Sequence, residues 1–292
     1  HKYKSVIDST YYLITPNSRF YFGGNLKMDR LPIASGSFYP GNKEELAGVL
    51  KALMADIPEK QRVLGAISPH AGYVYSGGVM GSVFSRIEVP DTVVILAPNH
   101  TGSGAPYSIW PEGRWITPLG ETPTDEELVN EIQNSCELIE KNEPAHTNEH
   151  SAEVILPFLQ YSNPQVKIAV IVIRSNKFED LSTVGKSIGD VLKTIRPGAL
   201  VVASSDMTHY ESQQSASKKD KSAIAEIVAL REERLHRVVQ ELGVTMCGVS
   251  PAISMMVCSK QREATKAELI RYETSGDVTG DYDHVVGYAG VI

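Results

Sequence analysis

The sequence predicts an α/β fold in which a single domain carries a mostly parallel or mixed sheet flanked by helices. Short β-branched runs alternate with helical patterns from residue 31 onward, the signature of βα units. The runs are nearly continuous in apolar residues, as expected of strands covered by helices on both faces. Three of them lead directly into histidine-bearing loops, which gives the predicted sheet a working edge.

Residues 1–30 stand apart from this pattern. Rich in Tyr, Ser and Asn, without a sustained period and closing on Gly23-Gly24-Asn25, they are expected to be an N-terminal extension, a tag remnant, or a strand added to the sheet edge. The domain proper is expected over residues 31–292. Helices are predicted over 43–55, 78–86, 124–140, 149–161, 178–195, 217–242 with a break, and 251–259. Thr124 and Glu127 have capping-box spacing and mark the start of the third. Strands are predicted over 63–68, 92–97, 166–173 and 199–204, and two more over 266–273 and 284–291 flank a Gly/Asp-rich turn. No internal repeat or later linker divides the chain.

Composition removes several function classes. The 292 residues are 42% hydrophobic and 22% charged, with a formal net charge of −7. Without Lys/Arg blocks, such a chain lacks the electrostatic footprint of a nucleic-acid or anionic-membrane binder, so neither partner is expected. No apolar run approaches the roughly 18 residues of a membrane span, and the N-terminus lacks a secretory pattern, so a cytoplasmic location is expected. Cys136, Cys247 and Cys258 are too few and too scattered for a disulfide framework, and no CxxC pair suggests a zinc ribbon.

The chemistry collects behind the strands. Strand 63–68 runs into Pro69-His70-Ala71-Gly72-Tyr73, strand 92–97 into Pro98-Asn99-His100-Thr101-Gly102, and strand 199–204 into Ser205-Asp206-Met207-Thr208-His209-Tyr210. The carboxyl ends of parallel strands face a common crevice, so His70, His100, Asp206 and His209 form a candidate site on topological grounds. Imidazole and carboxylate suit Fe, Zn, Cu and Mn, which makes a mononuclear metal site the sharp reading. Any one of these histidines taken alone is more often a turn cap, but three in one context weaken that reading.

Glu149-His150-Ser151-Ala152-Glu153 is expected to open a helix, where His150 and Glu153 share a face as a ligand pair or as an oriented histidine. Glu149 there reads as a first-turn carboxylate complementing the helix dipole. Asp206 is expected to cap the following helix or to pair with His209 for proton transfer. Cys247, in a turn-rich stretch, is the most available thiol, with a reactive or ligating role left open. Ser76-Gly77-Gly78-Val79-Met80-Gly81 reads as a Gly-rich turn into a helix but matches no nucleotide-binding motif, and no GxSxG elbow is present.

Assembled, these segments resemble the Memo family, whose microbial members are called AmmeMemoRadiSam system protein B. The resemblance rests on Gly36-Ser37-Phe38-Tyr39-Pro40-Gly41, on the His70, His100 and His209 loops, on Glu149-His150-Ser151-Ala152-Glu153-Val154, and on Met246-Cys247-Gly248. It implies a fold similar to class III extradiol (LigB-type) dioxygenases. It also implies one transition-metal ion, with Fe(II) favoured and Cu or Zn as alternatives, on His70, His100 and Cys247. Asp206, His209 and His150 would then be catalytic, and Glu153, Tyr73 and Asn99 would face substrate or support the ligands. Met207 stands where family members often carry an aromatic residue, so a different pocket rim is expected. Expected partners are the other AmmeMemoRadiSam proteins and a small-molecule or peptide ligand. The leading functional expectation is a metal-dependent redox or oxygen-using protein; the alternatives are an inactive peptide- or protein-binding module and a zinc-type hydrolase.

Overall fold

A computed structural model describes residues 28–292, and the first 27 residues of the expected extension lie outside the described part. In chain order the early elements are β1 (Asp29–Arg30), α1 (Lys43–Leu53), β2 (Gly65–Ser68), α2 (Tyr73–Arg86) and β3 (Thr92–Pro98). Three short strands follow, β4 (Tyr107–Ile109), β5 (Arg114–Thr117) and β6 (Gly120–Pro123), then α3 (Glu126–Ser135), β7 (Glu140–Lys141), α4 (Pro144–Thr147) and α5 (Leu156–Ser162). The chain continues through β8 (Lys167–Ile173), α6 (Phe178–Ile195), β9 (Leu200–Ser204), β10 (His209–Glu211), α7 (Gln213–Val228) and α8 (Glu232–Leu242). It closes with α9 (Val249–Gln261), β11 (Leu269–Thr274), α10 (Gly276–Thr279) and β12 (Val285–Val291).

The principal sheet has the order β10-β12-β2-β9-β3-β8-β4-β7, with β11 pairing β12. Its centre, β2-β9-β3-β8, is parallel, and β12 and β4 join it antiparallel, which is the mixed α/β architecture the sequence predicts. Alternate residues of a strand face opposite sides. Accordingly Val93 and Ile95 of β3 pack with Leu46, Phe84 and Phe158, whereas Val94 and Leu96 pack with Val184, Ile188 and Met256. Both faces being buried explains the unbroken apolar runs.

Several local expectations change. Asp125, not Thr124, caps α3, its carboxylate accepting from Leu128 N at 3.2 Å. Thr124 instead bridges to Ile168 beside the sheet. Helix α2 starts at Tyr73, so the expected Gly-rich turn lies inside it. Gly81 there is required by close approach, since a Cβ would stand 2.2 Å from Leu53 O. The excursion β4–β7 was not legible because its strands are short and lack an apolar run. Asp206 caps no helix, because the chain passes first through β10.

β1 pairs with β5 in a small separate sheet and carries Arg30 into the interior. The guanidinium is ion-paired with fully buried Glu153, donates to Glu149 O at 2.6 Å and to His146 O at 3.2 Å, and lies 4.6 Å from the centre of the Trp115 ring. Burial, with help from the Arg30 charge, lowers the His146 pKa to about 3. The unfolded chain therefore takes up this proton more readily below the usual histidine value of about 6.5. His146 should leave stability intact above that pH and reduce it between roughly 6.5 and 3, by at most about 1.4 kcal/mol per pH unit. Urea unfolding at pH 7, 5 and 4 checks this: a His146→Phe variant should show a shallower acid loss than the unmodified chain, and an equal slope would refute the assignment.

Candidate metal centre

Strands β2, β9 and β3 are neighbours, so the loops that follow them emerge side by side. Ser68 and Ser204 are in register, and Ser205 N donates to Ser68 O at 2.9 Å, which ties the first loop to the third. His70 N donates to Asp206 Oδ1 at 2.8 Å. The ring centres of His70 and His100 are 5.3 Å apart, and His150 joins them at 5.5 Å and 5.0 Å respectively. One ligating atom from each of the three lies within 4.8 Å of the other two. His70 is buried, His150 half-buried and His100 exposed, so the cluster opens to solvent on the His100 side.

The hydrogen bonds fix which nitrogen faces inward. Ser204 Oγ donates to Ser151 O at 2.8 Å, so at 2.7 Å it accepts from His70 Nδ1–H and leaves Nε2 without a hydrogen, its lone pair facing Cys247 Sγ. His100 Nδ1 donates to Glu149 Oε1 at 2.9 Å, freeing its own Nε2 in the same way. Glu149 also accepts from His100 N at 2.6 Å and from Ser151 N and Oγ at 3.0 and 2.7 Å, and its Oε1 is 3.5 Å from His150 Nδ1. Burial alone would raise this carboxyl; the hydrogen bonds from His100 and Ser151 outweigh it and hold Glu149 at about 2. Burial pushes His70 down to about 4, against the opposing charge of Asp206. His150 is also lowered by burial, while in His100 the Glu149 contact overcomes burial and raises the pKa. A buried neutral imidazole and a carboxylate-oriented one are the states in which histidine binds metal.

Cys247 reaches the edge of this cluster. Its Sγ is 3.4 Å from His70 Nε2 and accepts from Asp206 N at 3.3 Å, but it is not part of the mutually close group that His150 completes. Burial, then the Asp206 charge, pushes its thiol well above the usual range. Gly248 lets this segment press on β9, since a Cβ would lie 2.1 Å from Ser204 O. Asp206 Oδ2 stands 3.9 Å from His70 Nε2 and makes no hydrogen bond among the described residues.

A family model described as Memo-like protein matches residues 30–292. The chain belongs to the Memo family. A MEMO1 family protein of Methanocaldococcus jannaschii is 40% identical over 282 residues, covering 90% of this chain and 98% of that protein. One from Aquifex aeolicus is 42% identical over 265 residues, covering 90% and 98%. A solved structure of an uncharacterized protein from Escherichia coli K12 covers 79% of this chain and 100% of its own, with a TM-score of 0.48 and 11% identity.

In this Memo family member the sequence-derived candidates divide in two. His70, His100, Asp206, Cys247 and His150 converge. His209 turns elsewhere: its Nδ1 donates to Thr245 O at 3.0 Å and its ring lies outside the three-imidazole group. Glu153 shares no helix face with His150, because His150 precedes the turn at Ser151-Ala152 and the 3-10 segment begins only at Glu153. Its carboxylate is consumed by Arg30, the Ile33 and Ala34 amides and Tyr39 Oη at 2.6 Å. Tyr73 donates to Val154 O at 2.8 Å within an aromatic core, and Asn99 shapes its own loop, accepting from Gly102 N at 2.8 Å. Met207 is fully buried, so the expected change of pocket rim does not arise from it. Glu149, Ser151, Ser204 and Phe38, whose ring lies 4.6 Å from that of His150, are the partners sequence reasoning missed. For Glu149 a signal existed, since it directly precedes a candidate histidine, but it was absorbed into a helix that does not begin there.

Proposed function

We propose that this protein holds one transition-metal ion on His70, His100 and His150 and uses it in redox or oxygen-dependent chemistry on a small substrate. The observation supporting this reading is the inward-facing Nε2 pair of His70 and His100, each fixed by a hydrogen bond at Nδ1, with a third imidazole within ligand distance. His150 takes the third position that the family resemblance gives to Cys247. Imidazole donors suit Fe(II), Cu and Zn alike, and Fe(II) is the favoured occupant. Such an ion would supply an electrophilic centre with open positions for substrate or oxygen.

The chain's own groups then have distinct tasks. Glu149 orients His100, and Ser204 orients His70. Asp206, with one oxygen tied to His70 N and the other free beside the cluster, holds or accepts a proton at Oδ2. Phe38 and the half-buried His150 form a wall that limits water on one side. The thiol of Cys247, close to His70, is the reserve donor for a softer ion.

Elemental analysis after anaerobic reconstitution tests the site. About one metal per chain is expected in the unmodified protein, with loss in His70→Ala, His100→Ala and His150→Ala and retention in Cys247→Ser. Stoichiometric metal in both His70→Ala and His100→Ala would end the reading, and selective loss in Cys247→Ser would move the third ligand from imidazole to thiolate. Oxygen uptake by the loaded protein with catechols or cell extract separates turnover from pure binding.

A further inference from the structure

At the end of the sheet opposite the histidine loops, a half-open cavity of about 240 Å³ lies between the start of β2, the ends of α7 and α9, and the close of β12. Ile227, Leu230, Met255, Met256 and Val291 supply its apolar lining, Ser259 supplies a hydroxyl, and no aromatic side chain lines it.

Two of these helix ends are built in an unusual way. Leu230 follows α7 with φ of +51°, and Glu263 follows α9 with φ of +72°, both in the left-handed region. Arg231 N returns to Glu226 O at 2.9 Å, and Ala264 N to Ser259 O at 2.9 Å, the closing bonds of a turn whose left-handed residue is ordinarily glycine. Helix α8 ends in the ordinary way, on Gly243 with φ of +60°. Among the described residues only Tyr210, Leu230 and Glu263 are non-glycine residues with positive φ, and the last two line this one cavity. Strain that glycine would remove persists where the side chain itself is needed.

We propose that this cavity is a second binding site, for a molecule with an aliphatic chain and an uncharged head. The lining is aliphatic and thioether, and adjacent methionines adapt to a flexible chain better than branched side chains do. The lining carries Arg62, Glu263, Lys266 and Glu268, two charges of each sign, with Arg62 paired to Glu88 and Glu268 to Arg86, so it selects no net charge. Ser259 Oγ, spent only on a weak contact with Met255 Sδ at 3.4 Å, can turn to the ligand head. This site is independent of the metal reading.

The test is n-octanol titrated into protein carrying 13C-methyl methionine, followed by NMR. Saturable shifts of the Met255 and Met256 methyls are expected, and His70→Ala should bind the probe as the unmodified chain does. Leu230→Gly suits the backbone, so its Tm should hold or rise while octanol affinity falls about tenfold or more through loss of the apolar wall. No saturable shift up to the solubility limit, unchanged affinity in Leu230→Gly, or equally tight binding of toluene would each overturn the proposal.

Discussion

Replacing Arg30 by Ala is expected to destabilise the fold by about 3–5 kcal/mol, the usual cost of stranding one member of a buried ion pair. Both side chains are essentially inaccessible, so Glu153 would be left with only the Ile33 and Ala34 amides and the Tyr39 hydroxyl as donors. The carbonyls of His146 and Glu149 would lose their guanidinium donor at the same time. A double variant, Arg30→Met with Glu153→Gln, should lose less than Arg30→Ala because it leaves no buried charge behind. Urea unfolding at neutral pH measures both, and a loss below about 1 kcal/mol for Arg30→Ala would show that water replaces the partner. The same clamp holds the turn bearing Glu149 and His150, so this stability effect should be accompanied by weaker metal binding.

Glu149→Gln should weaken metal binding about 10–100-fold, the range found when a carboxylate that orients a histidine ligand is removed. The four groups hydrogen-bonded to this carboxylate are all donors: His100 N and Nδ1, Ser151 N and Ser151 Oγ. An amide can offer its oxygen to one side only, and its NH2 then faces a donor. Competition with a chelator of known affinity reads the effect, and the visible spectrum of the Co(II)-loaded variant reports a changed ligand field. An affinity equal to that of the unmodified chain would mean that His100 needs no orienting partner.

The sheet and its histidine edge were legible because they depend on patterns that sequence carries directly. The four central strands are buried on both faces and read as apolar runs, and parallel order places the residues after β2, β9 and β3 together. The partners of those residues were less legible. Whether Glu153 faces a histidine or an arginine 123 positions away depends on a turn, a 3-10 segment and β1, none of which has a periodic signal. Tyr73 and Asn99 were expected at the site because they belong to the motifs that carry the family resemblance, yet a side chain one to three positions along a turning loop can point anywhere. His209 shows the same limit: the β10 bulge, at which the register with β12 shifts, redirects its ring toward Thr245.

His70 and His100 follow β2 and β3, strands two spacings apart with β9 between them, and their loops bring the ring centres to 5.3 Å, a separation that one ion can bridge. The pitch of the pleated scaffold thus acts as the ruler for the candidate ligand cage. Exchanging what each loop presents can retune the preferred element without disturbing the strands that set the gauge.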